Sequence, residues 1–143
     1  MQILALAFVY LLSSQLSSLV GAPNEFGSVI WPPAGISLAC LVIFGSRLWL
    51  GVFMGAFLAD LYFIINITPT LTPLSYITAG IEAFGATLEA LAGVWLMKNL
   101  AHFPNPLHTE KQIGLFMVCA FLSCFISPTV AMATLTLTNQ IPL

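Results

Sequence analysis

Three carboxylates stand inside apolar stretches of a chain that carries few charges. Glu82 and Glu89 lie in IEAFGATLEALAG, residues 81–93, and Asp60 ends GAFLAD, residues 55–60. Seven residues turn a helix to within about 20° of two full turns, so Glu82 and Glu89 share a face, about 10 Å apart along the axis. Gly85, Ala86 and Gly93 fall on that same side. Ile81, Phe84, Leu88, Leu91 and Trp95 fall on the other. An acidic residue at the centre of a bilayer costs roughly 2.5–3.5 kcal/mol on insertion scales. Two readings justify such a cost. Either the carboxylates serve an ion path or a ligand contact, or they hold helices together by hydrogen bonds. Asp60 either shares a cavity with Glu82 or reaches the outer headgroups. Arg47, in the turn GSRLW, is either a surface anchor or a partner for a carboxylate such as Glu89.

Other site chemistry finds little support. No nucleophile, base and orienting group stand in a recognisable pattern, and carboxylates without a substrate anchor do not define an enzyme. His102 and His108 are six apart with Pro104 and Pro106 between them, which fits no metal spacing. Cys40, Cys119 and Cys124 sit in apolar runs with no Cys-x-x-Cys pair, and they read as small packing residues. The expectation is therefore no catalytic residue, no cofactor and no metal.

Composition sets the environment. Of 143 residues, 59% are hydrophobic and 6% charged, against about 25% in soluble domains. Mean hydropathy is +1.03. The expected fold class is all-α: a polytopic integral membrane bundle of about five transmembrane helices, over residues 2–20, 33–46, 49–65, 74–97 and 113–137. With three basic residues and a net charge of -2, no patch could neutralise phosphates, so nucleic acid is excluded as a partner.

The elements that must position the carboxylates have their own signals. In SVIWPPAG, Pro32 and Pro33 bias the residues before them to extended shapes, and proline suits the first turn of a helix. A helix starting at Pro33 and ending near Gly45 is short for a full span. The Trp31–Gly35 segment then lies at membrane depth, where irregular backbone needs protein or a water-lined cavity around it. Trp31, Pro32 and Pro33 are thus candidate walls of a polar cavity; the alternative is an interfacial tryptophan above a proline cap. Gly51, Gly55 and Ala59 form a small-residue stripe at four-residue spacing. The serines at 13, 14, 17 and 18 with Gln15 are expected to pack against other helices. Pro128 is expected to kink or loosen the fifth helix. Asn66-Ile67-Thr68 matches a glycosylation acceptor, of relevance only in a secretory-pathway host.

Arg47, Lys98 and Lys111 all fall in loops on one side if the helices alternate. The positive-inside rule then places the amino terminus and those loops in the cytoplasm. Five spans leave Leu143 outside it, so a cytoplasmic output domain would need at least one further span.

The stretch SVIWPPAGISLACLVIFGSRLWLGVFMGAFLAD, residues 28–60, resembles the MASE1 family of bacterial membrane-associated sensor domains, as does GIEAFGATLEALAGVWLM, residues 80–97. The shared elements are WPPAG, the Arg47–Trp49 turn, the Gly51/Gly55 stripe and Glu89 within LEAL. Leu50, Asp60 and Ala86 depart from residues common in the family, and Glu82 has no matched position. The resemblance implies a sensor of about eight helices ahead of a histidine kinase or a cyclic-di-GMP enzyme. This chain would cover the first five or so, as a truncated or front part of that sensor. The expected role is a membrane-embedded sensory input domain in the bacterial inner membrane. Expected partners are the bilayer, further sensor helices, a cytoplasmic signalling domain, a small ligand and a second copy in a homodimer. An ion-coupled transporter and a structural assembly subunit are the alternatives.

Overall fold

The computed structural model describes residues 1–20, 31–67, 70–100 and 110–138. The loop holding GAPNEFG, both histidines, Thr68 and the last five residues lie outside them. The described residues form an all-α membrane helix bundle. Its helices are α1 (Gln2–Val20), α2 (Pro32–Phe44), α3 (Trp49–Ile67), α4 (Pro73–Asn99), α5 (Glu110–Ser123) and α6 (Ile126–Leu137), with a 3-10 turn at Ser46–Leu48 leading into α3. Three stretches, Ser46–Asn66, Pro73–Asn99 and Glu110–Thr134, are long and apolar enough to cross a membrane; α1 and α2 supply shorter apolar helices.

Local chemistry sets the boundaries. Pro32 and Pro33 occupy the first turn of α2 behind Trp31, so the helix begins one residue earlier than proline spacing predicts. It stops at Gly45, whose φ of 95° favours glycine and whose N–H closes on the Leu41 carbonyl. α4 opens with a capping box. The Ser75 N–H donates to the Thr72 hydroxyl while the Thr72 N–H donates to the Ser75 hydroxyl, with Pro73 between. α3 and α4 run past their expected ends at 65 and 97.

The fifth span, expected over 113–137 and disturbed by Pro128, runs as one apolar stretch from Glu110 to Thr134 and is interrupted where α5 gives way to α6. The chain turns at Cys124 and Phe125, and α6 begins with Pro128 in its first turn. Proline carries no N–H for the carbonyl four residues back, at Cys124, and its ring crowds that carbonyl. Breaking the helix places Pro128 where a missing N–H removes no intrahelical bond. The Phe121 and Phe125 rings meet edge to face across the turn, with centroids 5.0 Å apart.

Helix α4 is central. It packs against α2, α3, α5 and α6, while α1 lies against α2 and α3. The residues it buries are mostly small or hydroxylated: Ser75, Thr78, Ala79, Ala83, Gly85, Thr87, Ala90 and Gly93, with Val94 and Met97. Its exposed residues are large and apolar, among them Ile77, Ile81, Phe84, Leu88 and Trp95, whereas Leu91 is half-buried against the core. In water this distribution would be inverted. In lipid it is the economical one, because tails solvate large apolar side chains and small residues let backbones approach.

The approach is close. A Cβ on Gly55 would lie 2.6 Å from the Tyr10 Cβ and 3.0 Å from the Ala7 carbonyl oxygen; one on Gly51 would lie 2.8 Å from the Ile3 carbonyl oxygen. The stripe read from sequence is thus where α3 meets α1. Gly85 stands equally close to Val130 of α6, and Gly93 to Leu38 of α2.

The buried hydroxyls bond within their own helices. Ser13 donates to the Tyr10 carbonyl at 2.9 Å, Ser37 to Pro33 at 2.7 Å, Thr87 to Ala83 at 2.7 Å and Ser123 to Ala120 at 2.8 Å. Each hydroxyl hydrogen is thereby used locally, so these residues join helices by their small size.

Gly55→Ala is expected to destabilise the bundle by about 1–3 kcal/mol, since Tyr10 Cβ is tied to backbone and cannot step aside. Gly114→Ala, where an added Cβ meets nothing within 4 Å, is expected to leave stability unchanged or raise it slightly. Thermal unfolding of the two variants in detergent checks the contrast.

Candidate functional site

The site is built where two short or broken helices start against the middle of α4. α2 begins at Trp31–Pro33, with Pro33 buried and Pro32 exposed. α6 begins at Ile126–Ser127. Between them stands Glu89, which the helix geometry of α4 points inward beside Ala86 and Ala90.

The backbone N–H of Ser127 and the Cys124 thiol are the donors that face the Glu89 carboxyl. The Ser127 N–H belongs to the first turn of α6 and has no acceptor in its own helix. Glu89 therefore caps α6 from α4. A carboxylate suits that place because the first turn of a helix presents partial positive charge. The proline break creates the donor and the LEAL segment supplies the acceptor.

Beside Glu89 and Ser127, a cavity of about 20 Å3 reaches α1 and α2. Tyr10, Ser37, Glu89 and Ser127 give it polar walls; Trp31, Ala34, Ala86 and Ala90 complete it. Tyr10 is 3% exposed, and its hydroxyl accepts a hydrogen bond from the Trp31 indole N–H. Trp31 is 42% exposed, so it joins this interior to the surface of the bundle.

Asp60 and Glu82 form a second acidic pair. They interact electrostatically from neighbouring positions on α3 and α4. Tyr10 interacts electrostatically with both Asp60 and Glu89. Asp60 on α3 and Glu82 and Glu89 on α4 are thus linked electrostatically through Tyr10 of α1.

Of the residues singled out from sequence, Trp31 and Glu89 line the cavity together, and Pro33 is buried one turn before the cavity-lining Ser37. Arg47 stands apart. It borders a separate open recess with Met1, Gln2, Ile3 and Leu48, beyond the far end of α2. Ten residues separate it from Ser37, on the order of 15 Å along a helix, which places it away from Glu89.

Sequence reading missed Tyr10, Ser37, Ser127 and Cys124 as site residues. A usable signal existed for the first. Tyr10, Ser13, Ser14 and Ser17 recur at three- and four-residue spacing and are all buried, which marks the inward face of α1. Ser127 and Cys124 act through a backbone N–H and a thiol, and only the turn between α5 and α6 brings them to Glu89.

The arrangement can hold a carboxylate between helices. Among the described residues it contains no group placed to attack a substrate. No match was found among curated proteins or among solved structures. The family model of MASE1 matches residues 1–143. A match over the full length, on a bundle with this acidic helix and this Trp-Pro-Pro start, identifies the chain as a member of the MASE1 family of membrane-associated sensor domains, which are sensory and not catalytic.

Proposed function

We propose that this chain is the sensory input of a bacterial signal-transduction protein, with a histidine kinase or a cyclic-di-GMP enzyme as its output. The observation that carries the reading is the contact of Glu89 with the first turn of α6. A carboxylate on one helix that caps another is a joint with two states, made and unmade. A small ligand or a membrane condition that favours one state shifts the population of both helices together. The cavity beside the joint and the exposed edge of Trp31 give such a signal a place to act. Further sensor helices and a cytoplasmic module would carry the change onward.

A transporter reading draws less support. The cavity at Glu89 has room for one water and not for a permeating solute.

We assign the domain to the bacterial inner membrane as a multi-pass bundle with its amino terminus in the cytoplasm. Arg47 and the end of α4 at Lys98 then share the cytoplasmic side with the start of α1, as the positive-inside rule requires. Green fluorescent protein fused after Asn99 is expected to fluoresce, and alkaline phosphatase fused after Leu71 to be active. The reverse pattern contradicts the orientation.

Glu89→Gln keeps a carbonyl oxygen to accept from Ser127 but removes the charge. In a full-length signalling protein that carries this domain, the expected result is normal abundance with basal output shifted about fivefold or more, the low end of typical coupling energies. Immunoblotting and an output reporter measure the two quantities. Unchanged output at normal abundance would sink the signalling role of Glu89.

A further inference from the structure

The cavity between α1, α2, α4 and α6 measures about 20 Å3. A buried water needs roughly 10–15 Å3 measured this way, and two to four polar partners. The hydrogen-bond inventory of the walls says which guest fits. Ser37, 1% exposed, spends its hydrogen on the Pro33 carbonyl at 2.7 Å, so it offers lone pairs alone. The Tyr10 oxygen accepts from the Trp31 indole, which leaves its own O–H to donate. Glu89, which the Ser127 N–H and the Cys124 thiol face, has further lone pairs on its carboxyl oxygens.

The walls therefore present the Tyr10 O–H as donor, Ser37 and Glu89 as acceptors and the Ser127 hydroxyl as either, around a volume of molecular size. A bare cation would meet the Tyr10 hydrogen and has too few free oxygens. An apolar guest would leave the Tyr10 O–H without an acceptor. Water matches on every side. We propose that this cavity is a binding site for a single water molecule. The water accepts from the Tyr10 hydroxyl, donates to the Glu89 carboxylate and the Ser37 hydroxyl oxygen, and so joins α1, α2 and α4 beside the start of α6. Through it, the short helix α2 acquires a polar tie to the same carboxylate that caps α6. The site does not depend on what the domain senses.

Radiolytic hydroxyl-radical labelling of the purified full chain in nanodiscs, with rapid mixing into H2(18)O, tests the site. Tyr10 is expected to be oxidised despite its burial, and its 18O content to lag that of Tyr76, which is 48% exposed. An unlabelled Tyr10 beside a labelled Tyr76 overturns the proposal. A second test fills the cavity. Ala86→Val is expected to lower the melting temperature by several degrees by displacing the water, and to lower it much less in a Tyr10→Phe background. A rise in melting temperature would mean an apolar cavity. A loss of equal size in both backgrounds would mean plain overpacking. Either result contradicts a bound water.

Discussion

The contact on which the rest of the site depends is a carboxyl of one helix capping the first turn of another inside a membrane. Ser127 offers a backbone N–H because α6 starts afresh after the Cys124–Phe125 turn, and it starts afresh because Pro128 cannot continue α5. Glu89 can reach that N–H because Gly85, one turn earlier on α4, lets α6 lie almost against the backbone. Remove the proline and the donor returns to its own helix. Enlarge the glycine and the helices part.

Magnitudes explain why several groups gather at Glu89. The insertion cost of an acidic side chain near the bilayer centre is about 3 kcal/mol. An interhelical hydrogen bond in a membrane protein returns about 0.6 kcal/mol on average and up to about 1.7. One donor does not offset the cost. A helix-terminal N–H, a thiol and a polar cavity together approach it. The balance is close, so a modest bias can open the joint, which suits a sensor better than a strongly held ion pair would. The buried serines and threonines such as Ser13, Ser37, Thr87 and Ser123 do not compete, because their hydroxyls are bonded to carbonyls three or four residues back.

Much of this was legible in the residues. Composition dictated a membrane bundle, and the Gly51/Gly55 spacing marked a close helix contact that the α1–α3 approach bears out. WPPAG pointed to a short helix with its start inside the protein. Glu89 stood out as a charge without an obvious reason. What could not be read is what depends on the third dimension. Arg47 and Glu89 are both lone charges in sequence, and nothing in their spacing says that the length of α2 keeps them apart. Tyr10 is one aromatic among many until its burial next to Ser37 and Glu89 is seen. Pro128 announced a disturbance, but the sequence pattern does not say whose carboxylate will meet the amide it frees.

Amide hydrogen exchange at Ser127 tests the account most directly. In the intact chain this first-turn amide should be protected although no acceptor exists within α6, and Glu89→Ala should abolish that protection while amides in the middle of α4 keep theirs. A Ser127 amide that exchanges at the same rate with and without the Glu89 carboxyl would contradict the account.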